Sequence, residues 1–155
     1  MAGLWFDDLT EGLVVDAEWT RTVTESDNVM FCALTMNVQK LHLDAEFAAA
    51  TEYGRPLVNS IFTLGLVIGM TVHNLTDGTT LGNLGMTETI FPNPVFAGDT
   101  IRAISTVLAA RASKSRPDAG IVTFRHEGFN QKGQLVAKCE RQALMKRRPA
   151  KAAAA

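Results

Sequence analysis

The sequence predicts an α+β domain in which an antiparallel β-sheet wraps around a long buried helix. Three observations predict it. Residues 60–73 form the longest apolar stretch, Ser60-Ile-Phe-Thr-Leu-Gly-Leu-Val-Ile-Gly-Met-Thr-Val-His73, and a helix that is apolar on every side belongs in a core. After Thr79 the pattern changes to segments rich in β-branched residues with partial alternation, the signature of strands. After one opening strand the helices come together and a run of four strands follows, which is α+β order and not the alternating βα order of a parallel sheet.

The elements follow in turn. Leu13-Val-Val15 and then Ala17 to Val23 read as an opening strand. Thr24 is an N-cap residue type, and Asp27 three positions on makes a capping-box variant. Val29, Met30, Ala33 and Leu34 are the expected buried stripe of that helix. A polar loop follows. Asp44 to Thr51 reads as a short helix capped by Asp44 and stopped by Tyr53-Gly54 and Pro56. In the long helix Gly65 and Gly69 stand four apart, and are expected to let another backbone, that of the sheet, approach closely. Strands are expected near 79–90, 100–110, 120–130 and 134–146. They are joined by a polar loop at Arg111–Gly120 and a tighter one at Asn130–Gly133.

The chain of 155 residues predicts one domain over residues 1–148, with residues 149–155 as a disordered tail of basic and small residues. Hydrophobic residues make up 46% of it and charged ones 20%, ordinary for a globule. A net charge of -1 gives no reason to expect nucleic acid or a membrane surface as partner. The apolar stretch is too short to span a bilayer. Met1-Ala-Gly-Leu-Trp-Phe-Asp-Asp carries neither the basic start nor the apolar centre of a signal peptide, so a cytoplasmic location is expected. Cys32 and Cys139 form no metal motif and read as reduced packing residues. Dinucleotide, P-loop, zinc and serine-hydrolase motifs are absent from the sequence.

The chemistry sits in Thr35-Met-Asn-Val-Gln-Lys-Leu-His42. Asn37, Gln39, Lys40 and His42 cluster between two hydrophobic patterns, and a short loop can turn Asn37 and His42 into one pocket. An imidazole takes a proton from water near neutral pH, so His42 is the candidate base. Asn37 cannot titrate but can hold a water or a substrate oxygen; the competing reading is an Asx-turn residue. Gln39 and Lys40 could be substrate contacts or plain surface. Asn59 and Ser60 precede the long helix, whose first N–H groups are free and lie at the positive end of its dipole. Ser60 could serve there as N-cap. His73 and His126 read as structural. Arg111, Lys114 and Arg116 read as a solvated loop that could also meet phosphates.

These segments resemble the MaoC-like, R-specific enoyl-CoA hydratases. Their signature is roughly Asp-x-Asn-Pro-x-His followed by x-Asp-x-x-Phe-Ala. Here Asn37 stands at the acid, Gln39 at the amide, Lys40 at the proline and His42 at the histidine. Gly54-Arg-Pro-Leu-Val-Asn-Ser60-Ile is similar to the family's segment before its long helix, and Phe91-Pro-Asn-Pro-Val-Phe-Ala-Gly-Asp-Thr100 to a later one. The resemblance implies a single hotdog domain, a homodimer or higher homo-oligomer, an acyl-CoA substrate, and no metal or redox cofactor. It implies water addition to an enoyl-CoA by His42, with Asn37 and Gln39 positioning and the Ser60 amide stabilising the thioester oxygen. A hotdog thioesterase and a non-catalytic acyl-CoA-binding subunit remain alternatives. Neutral Asn37 and cationic Lys40 make the loop about two charges more positive than the family's. At an effective dielectric near 20, a unit pair 4 Å apart is worth roughly 4 kcal/mol. A short, branched or dicarboxylic enoyl-CoA of the itaconyl-, mesaconyl- or methylglutaconyl-CoA kind is therefore expected.

Overall fold

The computed structural model describes residues 3–149. Met1, Ala2 and residues 150–155, most of the expected tail, lie outside the described residues. After a 3-10 turn the order is β1 (Val14–Thr22), α1 (Glu25–Leu34), α2 (Lys40–Leu43), α3 (Ala45–Ala49), α4 (Ser60–Leu75), β2 (Thr80–Ile90), β3 (Thr100–Ala112), β4 (Ala119–Phe129) and β5 (Leu135–Lys146). The strands form one antiparallel sheet in the order β1-β3-β4-β5-β2, and α4 packs against β1, β3, β4 and β5. The predicted α+β architecture is the one observed.

Alternation writes the inner face of the sheet. Ile101, Ala103, Ser105 and Val107 of β3 are buried, as are Val122, Phe124, His126 and Gly128 of β4. Cys139, Arg141, Ala143 and Met145 continue that face on β5. One core cluster joins Val67 and Met70 of α4 to Ile101, Ala103 and Val136, and a second joins Leu75 to Val107, Phe124 and Met145. Burying such side chains stabilises by about 1.5–3 kcal/mol each.

The close helix–sheet approach is at Gly128, where an added Cβ would run into Val67. Gly65 and Gly69 instead face outward with nothing within 4 Å of an added Cβ, so the expected backbone approach there is corrected. The face of α1 is corrected too. Val29, Met30 and Leu34 are exposed (45%, 63% and 80%), as is Ala33, and α1 buries Asn28 and Cys32. That face is spaced i, i+4, and it is used because a polar side chain there has main-chain partners to satisfy. The capping box is as expected: Asp27 N donates to Thr24 Oγ1, and Thr24 N to Asp27 Oδ2. Both cysteines are buried and free. Arg111 and Arg116 lie with the β3–β4 turn, at the end of the sheet away from the start of β5, and Arg116 is paired with Asp118.

His126 is wholly buried on the inner face. Burial, then the nearby Arg141 charge, pushes its imidazole down to about 3, so the folded protein keeps it neutral. The unfolded chain takes that proton below about pH 6.5 and the folded chain does not. Folding stability is thus fully present above that pH and is lost as pH falls toward 3, by roughly 1.4 kcal/mol per unit. Denaturant melts between pH 7 and 4 should show this slope, and His126→Gln should flatten it.

Candidate active site

A side-chain amide organises the site. Asn28, buried on α1, donates through Nδ2 to His42 O at 3.0 Å and Leu57 O at 3.2 Å. Its Oδ1 accepts from Asn59 N at 2.9 Å. One residue thereby joins α1, α2 and the segment entering α4. Nothing in the sequence pattern singles it out, since it closes the polar run Glu25-Ser-Asp-Asn28 at the start of the helix.

His42 lies on α2, not in an open loop. Its Nδ1 is 2.7 Å from Leu57 O. A carbonyl can only accept, so Nδ1 carries the proton and the neutral ring has its lone pair on Nε2. Main chain braces the contact, since Leu57 N donates to Leu41 O at 3.0 Å.

Asn37 is half-buried, and its Oδ1 accepts from Gln39 N at 3.0 Å. Its own N donates to Cys32 O, ending α1. The oxygen is thus spent on an Asx-type turn, and the amide nitrogen is the group left for a ligand. Among the described residues no hydrogen bond links Asn37 to His42. Met36 just before it has φ +56, an unusual conformation for a residue with a Cβ. Gln39 and Lys40 are exposed. The structure brings His42, Asn59 and Ser60 together through Asn28 and Leu57, and leaves Gln39 and Lys40 at the surface.

Asn59, and not Ser60, caps α4: its Oδ1 accepts from Ile61 N at 2.9 Å. Both are cap-type residues, and the one whose backbone is extended (ψ 127) takes the position. Ser60 becomes the first helical residue. Among the described residues its N–H has no partner, and it sits at the positive end of a 16-residue helix. Ser60, Tyr53, Leu57, Thr63, Phe91 and Val136 are among the residues lining a cleft of about 170 Å³. No group of three or more His, Cys, Asp or Glu that could hold a metal ion occurs among the described residues.

A free helix-start N–H beside a small cleft, with an imidazole oriented by Leu57 of the cleft wall, is carried on a fold of the hotdog kind. Residues 9–128 match the MaoC-like domain, and the chain belongs to that family. It is 32% identical over 147 residues to the mesaconyl-CoA hydratase of Cereibacter sphaeroides, covering 95% of this chain and 42% of that protein. It is 33% identical over 106 residues to the (R)-specific enoyl-CoA hydratase of Aeromonas caviae, covering 68% of this chain and 73% of that one. The crystal structure of a MaoC-like dehydratase from Rhodospirillum rubrum superposes with a TM-score of 0.82 at 30% identity, covering 96% of this chain and 100% of the other. The chain spans less than half the length of the mesaconyl-CoA hydratases it matches. No helix among the described residues is long and apolar enough to cross a membrane.

Proposed function

We propose that this domain is an acyl-CoA hydratase, adding water reversibly across the α,β double bond of an enoyl-CoA, acting without metal or redox cofactor. The observations that carry the reading are His42, fixed by Leu57 O with Nε2 unprotonated, and the Ser60 N–H at the cleft, which has no partner among the described residues. Nε2 takes a proton as the water oxygen bonds to the β carbon. The double-bond electrons move to the α carbon and the thioester oxygen, where the Ser60 N–H meets the developing charge. A proton returned to the α carbon completes the addition. Asn37 Nδ2 holds the water or a substrate oxygen, and Gln39 and Asn59 shape the loop and the helix start. The relatives named mesaconyl-CoA hydratase and β-methylmalyl-CoA dehydratase support a short, branched or dicarboxylic acyl group. The cleft volume supports a short one.

The test is a panel of enoyl-CoAs, followed by loss of the conjugated thioester absorbance. Hydration of none, or release of free thiol instead, would overturn the reading. Asn37→Asp should restore the family acid and raise turnover of an uncharged enoyl-CoA severalfold. The same change should lower turnover of a carboxylated one.

Ser60→Pro is a sharper probe. Proline is favoured at the first helical position, and the extended backbone of Asn59 (φ -59, ψ 127) suits a following proline. The variant should keep its melting temperature within a few degrees while losing the N–H. Turnover should fall by roughly 10²–10³. An active Ser60→Pro enzyme would remove the amide from the mechanism.

We also propose a homodimer. Leu81, Leu84, Met86 and Ile90 on the edge strand β2 are exposed apolar residues next to unpaired main-chain groups, and proteins cover such edges. Light scattering should give twice the chain mass.

A further inference from the structure

We propose that Arg141 binds the far carboxylate of a dicarboxylic enoyl-CoA, a specificity role that rests on the hydratase reading above. Arg141 stands on the inner face of β5 and is 7% exposed. Its Nε donates to His126 Nε2 at 3.0 Å. The His126 proton is therefore on Nδ1, which donates to Ser105 Oγ at 2.6 Å. Phe124 lies against the guanidinium, 5.4 Å from ring centre to Cζ. Among the described residues the two terminal amino groups make no hydrogen bond, and no carboxylate pairs with Arg141. The neighbouring acid, Glu140, points to the other face and pairs with Arg125 at 3.2 Å.

A buried cation costs several kcal/mol unless it is paired, and proteins ordinarily pair it with a carboxylate. Here the fixed partner is a neutral imidazole. It orients the guanidinium and leaves the charge uncancelled, with both amino groups free for a two-point grip on a carboxylate.

The placement fits an acyl group entering from the cleft. Val136, which lines the cleft with Ser60, lies on β5 five residues before Arg141, and both are buried. His126 pairs with Cys139, two residues nearer the cleft than Arg141. The bond to His126 thus bends the guanidinium back along the strand toward the cleft. On the other side Arg141 is opposite Met86 of β2, which is 42% exposed. Lys40, the cation that the sequence offered for this task, is at the surface instead.

The experiment measures kcat/KM for carboxylated enoyl-CoAs of four to six carbons and for analogues with methyl in place of carboxylate. It uses the full chain and its Arg141→Met and Arg141→Lys variants. The wild type should prefer the carboxylated substrates. Arg141→Met should lose that preference by roughly a hundredfold while hydrating the uncharged analogue at close to the wild-type rate. That retained rate also reports an intact fold. Arg141→Lys keeps the charge but not the fork, and should lose about tenfold. A preference unchanged in either variant overturns the proposal, as does a fall that is equal for both substrates. If the wild type hydrates neither substrate, the hydratase reading fails, and calorimetry of succinyl-CoA against butyryl-CoA still reads Arg141. Tighter succinyl-CoA binding that Arg141→Met abolishes supports the proposal, and equal wild-type affinities overturn it.

Discussion

Replacing His42 with alanine should lower kcat for enoyl-CoA hydration by about 10³-fold and leave KM and the melting temperature nearly unchanged. The size follows from the proposed work of the ring: a positioned base contributes 10²–10⁴ to a proton transfer. Stability should hold because His42 is half-buried and its side chain makes a single hydrogen bond, to Leu57 O, which keeps a second donor in Asn28. His42→Gln is the companion variant, since it can still hydrogen-bond but cannot take a proton, and it should be as inactive as alanine. Stopped-flow or steady-state hydration assays on both variants, with thermal melts alongside, decide the matter. An alanine variant within tenfold of wild type would mean that another group moves the proton.

The second large effect is expected at Asn28. Asn28→Ala removes the donor to His42 O and Leu57 O and the acceptor for Asn59 N. Asn59 is buried, so its N–H would be left without a partner. Each buried polar group so orphaned costs about 1–3 kcal/mol, which sets the total near 3 kcal/mol. For a domain of this size each kcal/mol lowers the melting temperature by roughly 2–4 °C, so a drop of about 10 °C is expected. Turnover should fall as well, because α2 and the start of α4 would no longer be tied to a common point. Asn28→Asp should be worse than alanine, since a carboxylate repels both carbonyls. A fully stable Asn28→Ala protein with normal turnover would show that the hub is dispensable.

The elements that could be read in the sequence are those whose signal is a period or a cap. The strands from Thr80 onward, the helix begun by Thr24 and the helix capped by Asp44 lie close to where periodicity and cap chemistry put them. What could not be read depends on partners distant in sequence. Asn28 bonds to main-chain groups 14, 29 and 31 residues away, and a main-chain carbonyl or amide has no letter in the sequence. The stripe Val29, Met30 and Leu34 was apolar enough to predict burial, yet the opposite face carried the hydrogen bonds that had to be buried. Gly65 and Gly69 signalled a close approach through their spacing, while the approach itself occurs at Gly128, a glycine in a strand with no partner glycine to mark it. At the cap of α4 two adjacent residue types were equally suited, and backbone conformation chose Asn59. Arg141 and His126 alternate in phase with apolar residues, so only three-dimensional proximity distinguishes them from ordinary strand positions.

The acceptor that fixes the His42 ring is a peptide oxygen and not a side chain. No point substitution at residue 57 deletes that oxygen, so the tautomer of the His42 ring is largely immune to sequence drift. The loop around it is free to vary: an acid can become Asn37, and a proline can become Lys40, without turning the imidazole away. This separates the part of the site that is inherited with the backbone from the part that selects a substrate. On the proposed roles, libraries aimed at a new acyl group can randomise positions 37, 39 and 141 together while the His42 ring keeps its orientation.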